Sequence, residues 1–147
     1  MPSPEVLHRF IAKVEANAHV EAIEQFYAPH ASMQENEQSP RTGRDALVAN
    51  ESKVLSRARS VTSECLRPVF VNGDRVVIRW VFQFEFHDGV RTRLDELAYQ
   101  RWGETASSKR NFSTIHTNYS RDASKSWHFA TRAGDLVRTL DLQCCVV

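Results

Sequence analysis

The sequence predicts an α+β domain in which helices cover one face of a curved antiparallel sheet. Residues 69–102 contain two long runs in which apolar and polar residues alternate, joined at Asp88-Gly89. Before them, apolar residues recur at helical spacing, interrupted by one short extended segment. An order of helix, helix, short strand, helix and then long strands is typical of an α+β domain, because helices and strands that are segregated along the chain pack as separate layers.

The alternating runs identify the central strands. Between Val76 and Phe86, one face carries a branched residue and four aromatic residues, namely Ile78, Trp80, Phe82, Phe84 and Phe86. A helix, with a period of 3.6 residues, would scatter these rings around its circumference. Turn-forming residues flank the run, since Asn, Asp and Gly tolerate the backbone of tight hairpins. The second run has one face formed by Leu94, Glu96, Ala98, Gln100 and Trp102.

Two helices are predicted at the N-terminal end. Ser3-Pro4-Glu5 has the pattern of a helix start, with a capping hydroxyl and a proline in the first turn. One apolar stripe follows, formed by Leu7, Phe10, Ile11, Val14 and Ala18. We expect a break near Asn17-Ala18-His19 and a second helix whose apolar face contains Val20, Ile23, Phe26 and Tyr27. Pro29 ends this helix, because the residue before a proline disfavours the helical region.

The middle of the chain is predicted to be mixed. Ala31 to Glu37 is a short extended segment with Met33 and Glu35 on one side, and residues 39–43 form a turn. A third helix runs from Arg44 to about Arg57 with Leu47, Val54 and Leu55 facing inward. Residues 61–71 form a strand that is broken or bulged near Pro68, since proline cannot donate to a ladder.

Composition excludes several classes of protein. The 147 residues have a formal net charge of +1 with both signs interspersed, which gives no basis for binding nucleic acid or an anionic membrane. No apolar run approaches the roughly 20 residues of a membrane span, and the first residues lack the pattern of a signal peptide. Three cysteines and six histidines show no metal-ligand spacing. We therefore expect a cytoplasmic protein without a metal.

One segment carries a family resemblance. FYAPHASMQENEQSPRTGRDALV, with Phe26-Tyr27-Ala28 closing the helical pair and Gly43-Arg44 opening the third helix, resembles the cone-shaped superfamily of nuclear transport factor 2. That superfamily also contains ketosteroid isomerases, scytalone dehydratases and SnoaL-like polyketide cyclases. The resemblance covers about residues 6–102. It implies three helices over a cone-like sheet, a pocket for a small hydrophobic molecule, a homodimer through the outer sheet face, and no cofactor.

The resemblance also implies site residues. Glu35 lies where ketosteroid isomerases have their general-base carboxylate, so it is the predicted catalytic residue. Ile11 and Ala98 match the tyrosine and the protonated acid that stabilise the oxyanion in those enzymes, and steroid isomerase activity is therefore not expected. The predicted substrate-binding residues are Glu96, Gln100, Tyr27 and Trp80.

Each of these assignments has an alternative. Glu35 lies in the polar run QENEQ, which is also typical of a solvated turn. Glu96 is equally consistent with a structural ion pair to Arg79 or Arg93, and the two aromatic residues with core packing. At the level of function, a SnoaL-like enzyme with acid/base isomerase, cyclase or dehydratase activity on a carbonyl substrate stands beside a non-catalytic module that binds a small molecule or a protein.

The chain beyond Gly103 departs from the expected pattern. Glu104 to Tyr119 is polar and lacks a period, so the sequence predicts a domain of residues 1–103 and an atypical tail, residues 104–147, in which the last strand is missing or replaced by irregular chain. The later residues Leu136, Val137, Leu140 and Leu142 suggest at most a short helix. Codons for GETASSKRNFSTIHTNY can be chosen so that reading one nucleotide earlier gives DGIVEEKFFYDPHQL from the codon for Thr105 onward. This is a turn followed by an alternating strand. Our hypothesis is a shift of the coding frame near Gly103, and the alternative is a genuine divergent extension.

Overall fold

The predicted α+β architecture is confirmed. The computed structural model describes residues 1–103 and, for residues 112–121, the backbone. Three helices pack on one face of a six-stranded sheet. The elements in chain order are α1 Pro4–Glu15, α2 His19–Phe26, β1 Ser32–Glu35, β2 Arg41–Thr42, α3 Arg44–Leu55, β3 Ala58–Asn72, β4 Arg75–Phe86, β5 Arg91–Arg101 and β6 Phe112–Arg121.

The helices begin and end where the sequence predicted. The Ser3 hydroxyl accepts a hydrogen bond from the backbone N–H of Val6 at 3.3 Å and so caps α1. Between α1 and α2, Asn17 adopts a left-handed backbone with φ of 60°, a conformation that asparagine tolerates better than most residues. Gly43, with φ of 100°, opens α3, and a residue with a side chain would be strained there.

The strand order in the sheet is β2-β1-β6-β5-β4-β3. All neighbouring pairs are antiparallel except β1 and β6, which are parallel. The pairing of β3 with β4 shifts register between Leu66 and Phe70, which confirms the irregularity predicted at Pro68. Residues 39–43, predicted as a turn, also contain β2, because Arg41 and Thr42 pair with β1.

The core lies between the inner face of the sheet and the helices. Every second residue of β4 and β5 is buried there, as the alternation predicted; these residues are Val76, Ile78, Trp80, Phe82, Phe84, Thr92, Leu94, Glu96, Ala98 and Gln100. The helices contribute a complementary apolar stripe, with Phe10 in edge contact with Phe26, Trp80 and Trp102. The buried face of β5 is unusual in carrying polar residues, and these define the site.

The expectation that the chain beyond Gly103 does not continue the sheet is wrong for residues 112–121. Their backbone forms β6, which lies in the middle of the sheet between β1 and β5. The polar composition of the segment gave no alternating signal. A gap between two strands nevertheless offers unpaired N–H and C=O groups on both sides, and any backbone without proline satisfies them. Position between two strands therefore decided the structure of this segment.

Other predictions for the tail are not tested. Leu136, Val137, Leu140 and Leu142 lie outside the described residues, and the division into residues 1–103 and 104–147 and the frame-shift hypothesis both remain predictions. In the part of the chain that the structure describes, none of the helices has the length and apolar character needed to cross a membrane.

Candidate functional site

The strand registers place Glu35, Glu96 and Trp80 in two adjacent rows on the inner face and Gln100 in a third row. Glu35 of β1 pairs with position 115 of β6, which in turn pairs with Ala98 of β5. Glu35 and Ala98 therefore lie in one row, two strand spacings or about 10 Å apart. In the next row, Glu96 of β5 pairs with Trp80 of β4.

Glu35 is not part of a solvated run. It is 7% exposed, whereas Asn36 and the residues after it turn outward. As the last residue of β1 it points to the inner face, two positions after the buried Met33. Its Oε1 accepts a hydrogen bond from Nη1 of Arg41 on β2 at 3.3 Å. The carboxylate is thus enclosed, paired with Arg41, and oriented toward the interior.

Glu96 lies fully inside the protein, with 0% exposure. The alternative of an ion pair with Arg79 or Arg93 is wrong: both arginines lie on the outer face, where Arg79 binds Asp95 through two hydrogen bonds of 2.9 and 2.7 Å. Neither oxygen of Glu96 has a hydrogen-bond partner among the described residues.

Burial raises the pKa of Glu96 well above the ordinary value of a glutamic acid, and the negative charges of Glu35 and Glu51 raise it further. Desolvation disfavours the charged form of an acid, and like charges nearby disfavour it again. Both effects favour the neutral carboxylic acid form of Glu96. Its hydroxyl is a hydrogen-bond donor inside an apolar enclosure.

The three other predicted ligand-binding residues are also buried. The Gln100 carbonyl accepts a hydrogen bond from Trp102 Nε1 at 3.1 Å, whereas Gln100 Nε2 and Trp80 Nε1 are buried without a partner in the described part of the chain. Trp80 stacks on Phe82, with ring centroids 5.8 Å apart, and Tyr27 is 1% exposed. Trp80 and Tyr27 are thus core residues, and their contact with a ligand stays a prediction.

The sequence reasoning missed a buried histidine–glutamate pair. His19, the first residue of α2, contacts Glu51 of α3 through Nδ1 and Oε1 at 2.9 Å, and both side chains are 0% exposed. Burial raises the pKa of Glu51, an effect opposed by its hydrogen bond with His19. One signal was available: Glu51 follows Leu47 by four residues and precedes Val54 by three, so it lies on the apolar stripe of α3.

The site therefore contains three enclosed carboxyl groups, Glu35, Glu51 and Glu96, close enough to affect one another electrostatically. They differ in environment: one is held by an arginine, one by a histidine, and one has no partner among the described residues. Environments that separate the properties of neighbouring carboxyl groups are the usual basis of acid/base assignments. Within the described ranges, no group of three or more His, Cys, Asp or Glu residues is arranged to hold a metal ion.

Comparison with known proteins agrees with this geometry. The model of the SnoaL-like domain matches residues 7–104, which is two thirds of the chain. The chain belongs to the SnoaL-like domain family. The match begins in α1 and ends three residues after β5, so it includes every site residue described above. No curated protein sequence matches this SnoaL-like domain.

Solved structures similar to this SnoaL-like domain share its fold at low identity. A candidate SnoaL-like polyketide cyclase from Mesorhizobium loti is 18% identical, with 81% of this chain and 100% of that chain covered and a TM-score of 0.62. SalBIII, an epoxide hydrolase/cyclase-like enzyme of pyran ring formation in salinomycin, is 16% identical, with 78% and 88% covered and a TM-score of 0.62. A protein with a ketosteroid isomerase-like fold from Catenulispora acidiphila, solved with trimethylamine, is 15% identical, with 81% and 88% covered and a TM-score of 0.60.

Proposed function

We propose that this SnoaL-like domain binds a small hydrophobic carbonyl compound and catalyses proton transfer at the carbon next to its carbonyl group. The observation that carries the proposal is the buried acid of Glu96, which has no hydrogen-bond partner among the described residues and lies one row along the sheet from Glu35. An enzyme that forms an enolate needs a base for the α-proton and a donor for the developing oxyanion. Glu35 is the proposed base and Glu96 the proposed donor.

The assignment of Glu96 supplies an oxyanion donor, which the residues matched through the resemblance do not provide. Ile11 and Ala98 are buried apolar residues, so neither can stabilise an oxyanion. Glu96 lies two residues before Ala98 on the same face, and its oxygens have no hydrogen-bond partner among the described residues. In the proposed step, Glu35 takes the α-proton while the carbonyl oxygen accepts a hydrogen bond from the protonated form of Glu96. Return of the proton to another carbon gives an isomer. Loss of a β-hydroxyl group, which leaves as water with the proton that Glu35 took, gives a dehydration product.

Two buried N–H groups, on Trp80 and Gln100, support the presence of a polar ligand atom in the interior. Trp80 Nε1 and Gln100 Nε2 are both buried donors without acceptors in the described residues, and a buried donor left unsatisfied costs about 1–3 kcal/mol. A carbonyl or hydroxyl oxygen of a ligand would satisfy one of them. The apolar remainder of the ligand would contact the aromatic residues of the core, which fits a hydrophobic compound of small size.

The second candidate function is a non-catalytic binding module of the same fold. The ion pair of Glu35 with Arg41 favours it, since Oε1 of this carboxylate already accepts a hydrogen bond from the guanidinium. In this case Glu96, Gln100 and Trp80 would still bind the oxygen of a ligand, but no proton would be transferred. The two functions differ in one measurable property, the exchange of α-hydrogens in a bound ketone.

We expect the protein to accelerate the exchange of α-hydrogens of 2-tetralone in D2O, measured by proton NMR. Glu35→Gln should reduce the exchange rate about 100-fold, because general-base catalysis contributes about 10²–10⁴-fold, while saturation-transfer NMR still detects the bound ketone. Glu37→Gln is the matched control, since Glu37 is an exposed acid of the same segment, and should leave the rate unchanged. Binding without exchange supports the binding module, and absence of binding across a panel of small hydrophobic ketones contradicts both functions.

We also propose that two copies associate through the outer sheet face. Phe70 and Leu97 are 63% and 47% exposed, and register places both on this face beside the row of Val77 and Tyr99. Large exposed apolar residues on a flat sheet are typical of an interface, and the resemblance implies a homodimer there.

Sedimentation measurements test the dimer. The wild type should sediment as a dimer and Leu97→Glu as a monomer, because the substitution replaces an exposed apolar side chain of the proposed interface with a charge on both sides of a two-fold axis. Val71→Glu is the control, since Val71 is 45% exposed but pairs with Val76, whose side chain points to the inner face. A monomeric wild type, or dissociation by both variants, would contradict this surface as the interface.

A further inference from the structure

A continuous chain of hydrogen bonds connects the protein surface with the interior carboxyl groups. It begins at Asn17, which is exposed in the turn between α1 and α2, and passes to the half-buried Ser63 of β3 at 2.8 Å. Ser63 Oγ contacts Nε2 of His19 at 2.7 Å, and His19 Nδ1 contacts Oε1 of Glu51 at 2.9 Å. Four side chains from four separate segments thus form one path into the protein.

The direction of the outer bonds follows from the number of hydrogens available. Ser63 has a single hydroxyl hydrogen, which it donates to Oδ1 of Asn17. The contact between Ser63 and His19 must then be made by the Nε2–H of the imidazole, since an oxygen without a free hydrogen can only accept. The contact between His19 Nδ1 and Glu51 also holds one proton, on either the nitrogen or the oxygen.

The inner end of the path is open. Oε2 of Glu51 is buried and has no hydrogen-bond partner among the described residues. Glu51 interacts electrostatically with both Glu35 and Glu96. One ring edge of His19 is closed by Phe82, whose centroid lies 5.7 Å away. Phe82 cannot carry a proton, so the route for a proton through His19 runs by way of its two hydrogen-bonded nitrogens, Nδ1 and Nε2.

We propose that Glu51, His19 and Ser63 form a proton relay between the solvent beside Asn17 and the interior carboxyl groups. In the outward direction, the proton on Oε1 of Glu51 moves to Nδ1 of His19 while the Nε2 proton moves to Ser63 Oγ. The Ser63 hydroxyl then turns from Asn17 Oδ1 toward surface water and releases its proton there, so that Ser63 keeps one hydrogen and Glu51 is left as a carboxylate. Uptake of a proton reverses each transfer. Only bonds to hydrogen are broken and formed.

The relay goes beyond the proposed function and does not depend on the identity of the substrate. Glu96 is fully buried, so without a relay its acidic proton would exchange with solvent only when the domain opens. With the relay, Glu51 accepts that proton through Oε2 and passes it to the surface. Glu96 can then take up a proton again while the core stays closed.

Infrared spectroscopy of the full chain tests the relay without a substrate. The C=O stretch of the protonated Glu96 acid shifts when its hydrogen is replaced by deuterium, and loss of this band in Glu96→Gln assigns it. After transfer into D2O, the band of the wild type should shift much faster than the backbone amides of β5 exchange. Ser63→Ala and His19→Gln should slow the shift at least about tenfold, since the relay would then lack a hydroxyl or a ring nitrogen.

Ser60→Ala is the matched control, because Ser60 is an exposed residue of the same strand and should leave the rate unchanged. Amide exchange and thermal midpoints of all variants establish that the fold is intact. A band that shifts at the wild-type rate in Ser63→Ala, with an unchanged midpoint, overturns the relay. A wild-type band that exchanges no faster than the amides of β5 overturns it as well. Neither outcome bears on the exchange of ketone hydrogens by Glu35.

Discussion

Glu96→Leu is expected to stabilise the protein by about 3 kcal/mol at pH 7. An unsatisfied buried polar group costs about 1–3 kcal/mol, and a buried leucine contributes about 1.5–3 kcal/mol relative to an exposed one. Glu96 is fully buried without a partner in the described chain, so the substitution removes the cost and adds the gain. For a protein of this size, the midpoint of thermal unfolding should rise by about 10 °C.

The stabilisation of the protein by Glu96→Leu should increase as the pH rises. The folded pKa of Glu96 is raised above its unfolded value near 4.5, so between these two values the folded state binds more protons than the unfolded state. The free energy of unfolding of the wild type therefore falls as pH rises above about 4.5. Glu96→Leu lacks this contribution. The difference in stability between variant and wild type should thus be smallest near pH 4 and grow toward neutral pH.

Urea unfolding at a series of pH values measures both effects. Glu64→Leu is the control, because Glu64 is an exposed acid on the sheet and its replacement should change stability by no more than about 0.5 kcal/mol. A destabilised Glu96→Leu, or a difference that does not vary with pH, would contradict the neutral buried acid. The same variant should no longer bind ketones, which would make Glu96 a residue kept for function at a cost in stability.

The second large effect is expected from the coding frame. We expect the gene, read one nucleotide earlier from the codon for Thr105 onward, to encode DGIVEEKFFYDPHQL. One observation supports this prediction. The match to the SnoaL-like domain ends at residue 104, beside the inferred shift.

A chain translated in the restored frame should be more stable by about 4 kcal/mol. Its hairpin would need only a short turn around Asp-Gly, and the strand after it alternates large apolar residues, each of which contributes about 1.5–3 kcal/mol when buried. Two such residues suffice for the expected gain. Sequencing of the gene tests the frame, and urea unfolding of both chains tests the stability.

A restored chain in which the two adjacent phenylalanines are replaced by serine is the matched control and should lose most of the gain. A stop codon or a non-alternating sequence in the shifted frame would contradict the frame shift and establish residues 104–147 as a divergent extension. Equal stability of the two chains would contradict the structural argument even if the frame were shifted.

The fold was largely predictable because its signals are local. Alternation in β4 and β5, the proline and serine at the start of α1, and the glycine before α3 each act within a few residues, and each predicted element is present. β6 was not predictable in this way, since its place between β1 and β5 depends on unpaired backbone groups of strands that are distant in sequence.

The sequence predicted which residues form the candidate site but not which partners these residues have. Alternation assigned Glu96, Ala98 and Gln100 to one face, and the resemblance indicated Glu35. The sequence did not determine that Glu35 is held by Arg41, that Glu96 has no ion-pair partner among the described residues, or that His19 contacts Glu51. These depend on which side chains meet across the helix layer, at separations such as the 32 residues between His19 and Glu51.

The sequence by itself therefore determined the α+β class, the faces of the strands and helices, and the family resemblance, because periodicity and turn chemistry are properties of neighbouring residues. Only the tertiary structure decided the central strand and the environments of the three carboxyl groups. Charge, pKa and hydrogen bonding depend on burial and on partners from other elements, and a one-dimensional pattern does not contain those distances.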